Sequence, residues 1–303
     1  MKSETKKANS RTVKKYVFVY TMLAATLLHF IIFYLYVNFS SIILPFVDSQ
    51  TGEWNDFYYF KMFFEQFKEG FSTGMLSYLA NTLKYFVTNT FISLPLSLFC
   101  AYFLYKKIMG HNVFSVVFML PMILSGVVFA AIYENLLTGY GPVGQLIMSI
   151  TGSTEDPLLL STKDTATTAM IIYNIWTGFG LNLILFSGGM SRIPNSVVEA
   201  GMLDGVGFWR ELFQISLPLI WPTFSLILML GVMNVFGSSG PILLFTKGQF
   251  GTTTLDYWMY TTTVHNNQYN MAGAFGMLMT LASLPIFLFV MWLRKKLDSG
   301  VQY

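Results

Sequence analysis

The sequence has 303 residues, of which 54% are hydrophobic, 17% aromatic and only 11% charged, with a formal net charge of +3 at pH 7. Soluble domains carry about 25% charged residues, so this composition excludes an ordinary water-soluble protein and indicates a chain that lies in lipid. A single cysteine, Cys100, excludes an intrachain disulfide and a cysteine-based metal site.

Six apolar runs are long enough to cross a membrane as helices, which takes about 20 residues each. The predicted spans are about 16–44, 83–105, 113–133, 167–187, 222–245 and 271–293. The predicted fold class is therefore an all-α integral membrane protein with six transmembrane helices. The first run follows a basic segment, as in a secretory signal. It exceeds the usual apolar length of about 7–15 residues and lacks a small-residue cleavage site, so we expect it to stay uncleaved.

The hydrophilic segments divide into two sets of opposite charge. The N-terminus, the 106–112 and 188–221 links and the C-terminus hold thirteen cations and five acids, a formal charge of +8. The other segments hold five cations and ten acids, a formal charge of −5. Because cytoplasmic loops collect Lys and Arg, the first set is predicted to be cytoplasmic, with both termini inside.

We predict one membrane domain and no soluble domain. The predicted division is a cytoplasmic tail at 1–15, the first span at 16–44, an extracytoplasmic segment at 45–81, the main membrane domain at 82–293 and a cytoplasmic tail at 294–303.

Two extracytoplasmic segments have a distinctive composition. Residues 54–71 carry aromatic side chains at roughly helical spacing, which predicts an amphipathic helix. This helix either lies on the outer membrane surface or packs as a cap over the helix bundle. Residues 134–166 contain Gly, Pro and Ser in a pattern that indicates turns.

The 188–221 link predicts a short helix–turn–helix. Pro194 suits the opening of a helix, and Ser196 with Glu199 has the spacing of a capping box. Gly205 and Gly207 end the helix, because each disfavours helix by about 1 kcal/mol relative to Ala.

A second helical pattern follows the two glycines, with apolar residues at Phe208, Leu212 and Ile215. Pro218 and Pro222 are predicted to end it at the membrane. We call residues 196–218 the elbow.

The elbow resembles the loop of the membrane subunits of binding-protein-dependent ABC importers. That motif reads EAA, three residues, Gly, nine residues, Ile, one residue, Leu-Pro. The chain matches every spacing, with Glu199-Ala200-Gly201, Gly205, Ile215 and Leu217-Pro218. Gly201 replaces the second Ala, which exchanges one small residue for another. The Asp204-Gly205 pair and segments 244–260 and 268–279 are similar to the carbohydrate-importing branch.

The resemblance implies that the elbow is a coupling helix that sits in a cleft of a separate cytoplasmic ATPase. The residues implied in this contact are Glu199, Ala200, Gly201, Asp204, Gly205, Ile215, Leu217 and Pro218. The small residues would allow close backbone approach. Glu199 has two candidate roles, a capping carboxylate and a charge pair with a basic ATPase residue.

The resemblance also implies the other partners. They are a second homologous permease, two ATPase subunits and an extracytoplasmic solute-binding protein, in a lipid bilayer and without nucleic acid. The chain has no G-x-x-x-x-G-K-[ST] phosphate loop, so no cofactor is expected on it, and ATP with Mg belongs to the partner ATPase. His29, His111 and His265 lie far apart in sequence and predict neither a metal site nor a catalytic histidine.

Polar and aromatic residues inside the later spans are candidates for a solute path. Aromatic faces cover sugar rings, and amides pair with hydroxyl groups. The candidates are Tyr173, Asn174, Trp176, Asn182, Asn234 and Ser238. The alternative is structural, because amides and hydroxyls also hold membrane helices together and Trp and Tyr anchor helices at interfaces.

The predicted function is a permease subunit that forms half of the path for a carbohydrate, most simply an oligosaccharide, in the cell membrane. One alternative is the same type of permease for another solute, such as a glycerol phosphate ester or a polyamine. An alternative of a different class is a membrane enzyme that modifies lipid. That enzyme would need convergent His or acidic residues, which the sequence lacks.

Overall fold

The computed structural model describes residues 2–48, 51–237 and 240–298. These ranges are helical and contain no sheet, only an isolated antiparallel bridge between Val47 and Trp54. The helices are α1 (Lys2–His29), α2 (Val37–Ile43), α3 (Tyr58–Lys68), α4 (Gly70–Thr73), α5 (Met75–Thr88), α6 (Leu94–Tyr105), α7 (His111–Ile123), α8 (Gly126–Leu137), α9 (Pro142–Thr151), α10 (Ala166–Met190), α11 (Asn195–Leu203), α12 (Phe208–Arg210), α13 (Leu217–Leu219), α14 (Trp221–Met233), α15 (Ile242–Phe245), α16 (Leu255–Val264) and α17 (Tyr269–Asp298). π-Helical segments connect α1 to α2, α5 to α6 and α12 to α13, at Phe30–Tyr36, Asn89–Ser93 and Glu211–Ser216.

Four helical runs in the described ranges are long and apolar enough to cross a membrane: Val13–Phe46, Met75–Tyr105, Ala166–Met190 and Tyr269–Lys296. Two further candidates are bent pairs, His111–Ile123 with Gly126–Thr151 at 116° and Phe208–Leu219 with Trp221–Met233 at 78°. The described ranges therefore contain four membrane-length helices, or up to six spans if each bent pair is one span.

The first run is exposed on all sides from residue 13 to residue 43. At its far end it contacts α17, where the Asn270 side chain donates to the carbonyls of Leu44 and Val47 at 3.0 and 2.6 Å. An apolar helix of this length without protein around it is stable in hydrocarbon, where burial of its side chains comes from lipid.

The predicted third span is not one helix. The backbone becomes extended at Leu124 and Ser125, and α8 begins again at Gly126. Pro121 lies one turn before this break and supplies no backbone N–H for the last turn of α7. The prediction of a continuous helix over 113–133 is therefore wrong.

The predicted fifth span is also interrupted. Helix α14 ends at Met233, and the chain resumes a helix only at Ile242. Gly240 has a φ of +55°, and a Cβ there would lie 2.7 Å from the Tyr85 ring. This left-handed residue against a buried ring prevents a continuous helix over 222–245.

The largest cluster of buried side chains lies at the elbow end of the bundle. Leu98 on α6, Phe186 on α10 and Leu212 in the elbow are buried together in it. Helix α10 lies at the centre, and a Cβ at Gly180 would approach the Cβ of Met122 to 3.2 Å. The elbow is therefore part of the core at its base and is not a loose loop.

Helix α3 is the predicted amphipathic helix of the 54–71 segment. Its buried Phe63 packs edge-on against Phe275 at 5.0 Å, in a cluster with Met75 and Leu255. The helix thus caps the bundle, as one of the two alternatives predicted. Other aromatic side chains, such as Phe64, remain exposed.

The segment at 246–254 is a loop that is hydrogen-bonded to α5. Four of its residues have a left-handed backbone, including Lys247 and Phe250. The buried Asn81 side chain donates to the carbonyls of Gly251 and Thr253 at 2.7 and 3.0 Å. These bonds fix a conformation that non-glycine residues seldom adopt.

The 134–166 segment contains the expected turns and one helix, α9, that turn composition did not predict. The α8–α9 turn is tight, since a Cβ at Gly144 would lie 1.9 Å from the Thr138 carbonyl oxygen. Beyond α9, backbone N–H groups of Gly139 and Leu158 bond to the Asp156 carboxylate and hold its pKa below the ordinary value.

We expect Gly144→Ala to destabilise the protein by about 1–3 kcal/mol, because the added methyl meets backbone that cannot move aside. Gly188→Ala is the control, since nothing lies within 4 Å of a Cβ at that helical glycine. Thermal unfolding of the two variants in detergent checks this. Equal unfolding midpoints would show that the turn tolerates a side chain.

Candidate coupling elbow and membrane cavity

The first arm of the elbow is α11. Pro194 precedes it with an extended backbone, φ −61° and ψ 135°, and its carbonyl accepts the Val197 N–H at 3.0 Å. Ser196 is the second residue inside the helix and does not cap it. The predicted capping box is wrong, and with it the capping role of Glu199, because Pro194 already occupies the N-cap position.

The arm ends in a Schellman motif at the predicted glycine. The Val206 N–H bonds to the Gly201 carbonyl and the Gly205 N–H to the Met202 carbonyl, at 3.0 and 3.1 Å. Gly205 has a φ of +66° with open space around its Cα. Glycine is thus required there by backbone conformation and not by crowding.

The motif residues divide into an inner and an outer set. Gly201 is buried, and a Cβ there would lie 3.3 Å from Ile215 Cδ1. Leu217 packs on the large core cluster, and Pro218 begins a helical turn at the base. Gly201 therefore serves packing within the elbow, and the expectation that it lies at a surface for close approach of an ATPase is wrong.

The outer set lies around the turn. Its members are Glu199, Ala200, Asp204 and Gly205, all of which are exposed. Beside them, Met202 and Leu203 are 63% and 89% exposed. Sequence reasoning did not select these two residues, although an apolar pair directly before an Asp-Gly turn in a polar link is an available signal.

An ion pair fastens the second arm of the elbow to the end of α6. Lys106 binds Glu211, and both side chains are mostly buried, at 22% and 14% exposure. The Tyr102 ring lies beside this pair, with its centre 5.8 Å from the Lys106 ammonium. In the sequence, Lys106 and Glu211 entered only the charge sum of the predicted cytoplasmic segments. Their pairing was not predicted, because the two residues lie about 100 positions apart in the chain.

Aromatic rings also pack between α6 and the second arm of the elbow. Phe208 stacks on Phe103 at 5.3 Å and meets the Tyr102 ring edge-on at 5.3 Å. Trp209 lies edge-on to Phe99 at 5.6 Å. Five rings and one ion pair therefore join α6 to the elbow, and we call this set of contacts the α6–elbow clamp.

A cavity of about 440 Å³ lies between α5–α6, α10 and α14. Three of the predicted path residues line it, Asn174, Asn182 and Asn234. The Asn174 side chain donates to the Asn89 side chain at 2.8 Å, which joins α10 to the π-helical segment after α5. The structure thus brings together three amides that lie up to 60 residues apart in sequence.

A second cavity of about 420 Å³ shares Asn174 and Thr177 with the first. Both helix breaks open on it, through Gly126 and Gly240. The two cavities adjoin at these shared residues, and together they form the candidate path through the bundle.

The predicted aromatic residues lie at the edge of this path. Tyr173 is 5% exposed, and its hydroxyl donates weakly to the Gly126 carbonyl at 3.4 Å. Trp176 packs edge-on against Phe129 at 4.8 Å. The structural alternative is thus favoured for Trp176, whereas Tyr173 also lines the second cavity. Ser238 lies outside the described residues.

Sequence reasoning missed the contribution of the second span. Asn89, Thr90 and Ser93 line the first cavity, and the Thr90 hydroxyl is buried without a hydrogen-bond partner among the described residues. The polar run Thr88-Asn89-Thr90 within an apolar span is a signal that was available. In the same described ranges, no group of three His, Cys, Asp or Glu side chains is placed to hold a metal ion.

Residues 93–303 match the family model described as binding-protein-dependent transport system inner membrane component. The chain is 28% identical over 235 residues to the probable ABC transporter permease protein YesP of Bacillus subtilis, covering 74% of this chain and 75% of YesP. It is 26% identical to the multiple sugar-binding transport system permease protein MsmF of Streptococcus mutans, over 63% of this chain and 66% of MsmF.

The match to the maltose/maltodextrin transport system permease protein MalF of Escherichia coli is 27% identical and covers 73% of this chain but only 44% of MalF. Among solved structures, one chain of a bacterial ABC transporter involved in the import of the acidic polysaccharide alginate superimposes with a TM-score of 0.78. That match is 21% identical and covers 94% of this chain and 98% of the other, which establishes a common fold.

We expect Glu211→Gln to destabilise the chain by about 1–3 kcal/mol, because it leaves the mostly buried Lys106 without its counter-charge. Lys106→Met combined with Glu211→Leu should recover most of that loss, since it removes both charges together. Unfolding free energies of Lys106→Met, Glu211→Leu and their combination complete the cycle that gives the coupling energy. A double variant that loses as much as the sum of the singles would show that the pair contributes nothing jointly.

Proposed function

The chain belongs to the family of binding-protein-dependent transport system inner membrane components, and on that premise we propose that it is the permease subunit of an ATP-driven importer of an oligosaccharide. It is a multi-pass protein of the cell membrane and a transport component, not an enzyme. The observation that carries the proposal is the exposed turn of the elbow. The α6–elbow clamp attaches this elbow to α6, and α6 lines the first cavity.

The proposed topology has six spans, with both termini and the elbow in the cytoplasm. The first bent pair then counts as the third span, whereas in the second pair only Trp221–Met233 belongs to a span and Phe208–Leu219 belongs to the elbow. The +8 charge of the segments on the elbow side supports this orientation.

The proposed coupling runs through the outer residues of the elbow. Glu199 and Asp204 offer negative charge, and Met202 and Leu203 offer apolar surface, to a cleft on a cytoplasmic ATPase. Two such ATPases hydrolyse ATP with Mg, a second homologous permease completes the path, and an extracytoplasmic binding protein delivers the solute. The alginate importer structure solved with a pentasaccharide-bound periplasmic protein supports this last partner.

The chemistry of the cavities favours a neutral polyol. Amides and hydroxyls line the two cavities, and neither includes an Asp, Glu, Lys or Arg side chain. A glycerol phosphate ester or a polyamine would lack a counter-charge there, and unpaired buried charge is costly. The relatives named for multiple sugars, maltodextrin and arabinooligosaccharides support the same substrate class.

We expect Glu199→Gln to reduce ATPase co-purification and coupled ATP hydrolysis on the order of 10-fold, the effect of losing about 1.4 kcal/mol of contact. The matched control is Glu65→Gln, which neutralises an exposed acid on the cap helix α3. Both variants are purified from native membranes with their partners. Unchanged coupling in Glu199→Gln would exclude a charge pair, and a chain that never co-purifies an ATPase would refute the proposed function.

We expect Asn182→Ala to lower oligosaccharide uptake about 3–10-fold, the effect of one lost neutral hydrogen bond, without loss of ATPase association. The Asn182 side chain lines the cavity and bonds to no other described residue, so its removal leaves the bundle intact. Asn135→Ala is the control, because Asn135 is exposed on α8 and loses only a local bond to the Ala131 carbonyl. Uptake at normal rates in both variants would place the solute path elsewhere.

A further inference from the structure

A separate cavity of about 640 Å³ lies beside the elbow, between the α6–α7 turn and the α10–α11 junction. It shares no lining residue with the two path cavities. Its lining is Leu104, Tyr105, Lys106, Lys107, His111, Asn112, Ser115, Met119, Ser187, Ser191, Asn195, Val198 and Met202.

The charged groups of this cavity have one sign. Lys106 and Lys107 line it together with His111, and none of its described lining residues is acidic. Glu211 engages Lys106 from the clamp side, whereas Lys107 has no acidic partner among the described residues. Lys107 also holds a left-handed backbone, φ +51°, an unfavourable conformation that recurs at functional sites.

The rest of the lining supplies neutral polar groups and an apolar wall. Asn112 and Asn195 contribute side-chain amides, which can donate hydrogen bonds, and Leu104 and Met119 form part of the wall. Phosphate oxygens accept several hydrogen bonds at once from ammonium and amide groups. The arrangement therefore suits an anionic phosphate group joined to a larger neutral or apolar body.

We propose that this cavity binds a phosphate ester. Its position on the cytoplasmic side rests on the proposed function, whereas the binding itself does not. A phosphate in the cavity competes with Glu211 for Lys106 and so weakens the α6–elbow clamp. The site thus offers a way for a phosphorylated compound, either a membrane lipid or a soluble ester, to reduce coupling.

The first test measures binding of inorganic phosphate by calorimetry, on the transporter purified with its partners in nanodiscs of phosphatidylcholine. ATP-free conditions keep the ATPase sites from turning over. We expect saturable binding that weakens at least 10-fold in the double variant Lys107→Gln, His111→Gln. The matched control Lys14→Gln, Lys15→Gln removes two exposed lysines from α1 and should bind as the parent does.

A gain-of-affinity variant tests the competition directly. Glu211→Gln frees Lys106, so we expect phosphate to bind it several-fold more tightly than the parent. A folding defect cannot mimic this gain. Unchanged or weaker binding in a folded Glu211→Gln protein would overturn the competition.

Nanodiscs that contain phosphatidylglycerol separate the two sources of phosphate. Displacement of inorganic phosphate by this lipid identifies a lipid headgroup as the ligand, and retention identifies a soluble ester. Absence of saturable binding of both probes, or an equal loss in the Lys14 and Lys15 control, overturns the proposal. If phosphate does not bind but an ATPase still co-purifies, the phosphate site is refuted and the proposed importer function stands. If phosphate binds but no ATPase ever co-purifies, only the importer function is refuted.

Discussion

Hydrocarbon offers no hydrogen-bond partner to a backbone N–H or C=O group, and the rest of this structure depends on that constraint. Helix satisfies these groups locally, so the long apolar runs of the described chain are mostly helical. Irregular backbone is tolerated only where it is buried in protein or lines a cavity. The two breaks, at Leu124–Ser125 and between Met233 and Ile242, fit this rule, since residues beside both of them line the second cavity. Breaks in spanning helices therefore coincide with the proposed path.

The α6–elbow clamp joins the elbow to the helical run that lines the first cavity. One helical run, Met75–Tyr105, carries Asn89 in the cavity wall and ends beside Lys106 in the clamp. Seventeen residues separate these two positions, about 25 Å along a helix. In the proposed coupling, a force on the elbow would reach the cavity along a continuous helical backbone. The buried Gly201–Ile215 contact joins the two arms of the elbow, and its outer residues remain exposed.

The sequence predictions held for features set by the conformational preference of single residues. They failed for features set by contacts or competition between residues. The elbow turn at Gly205 was predictable because left-handed backbone selects glycine, and the Schellman bonds confirm it. The capping box failed because Pro194 takes the N-cap position, a competition that residue spacing does not reveal. The third and fifth spans were predicted as continuous because apolar content alone does not register an interruption such as the Gly240–Tyr85 contact. Asn89 was missed because its amide acquires a role only opposite Asn174.

Composition and residue order alone determined that the chain lies in a membrane, that it is helical and that the 188–221 link forms a helix–turn–helix. These properties follow from transfer of side chains to lipid and from backbone preferences, which act residue by residue. Only the tertiary structure decided which polar groups share a cavity, which motif residues point outward and which lysine binds Glu211. Those outcomes depend on contacts between helices distant in sequence, and the energies of such contacts exist only once the helices have packed.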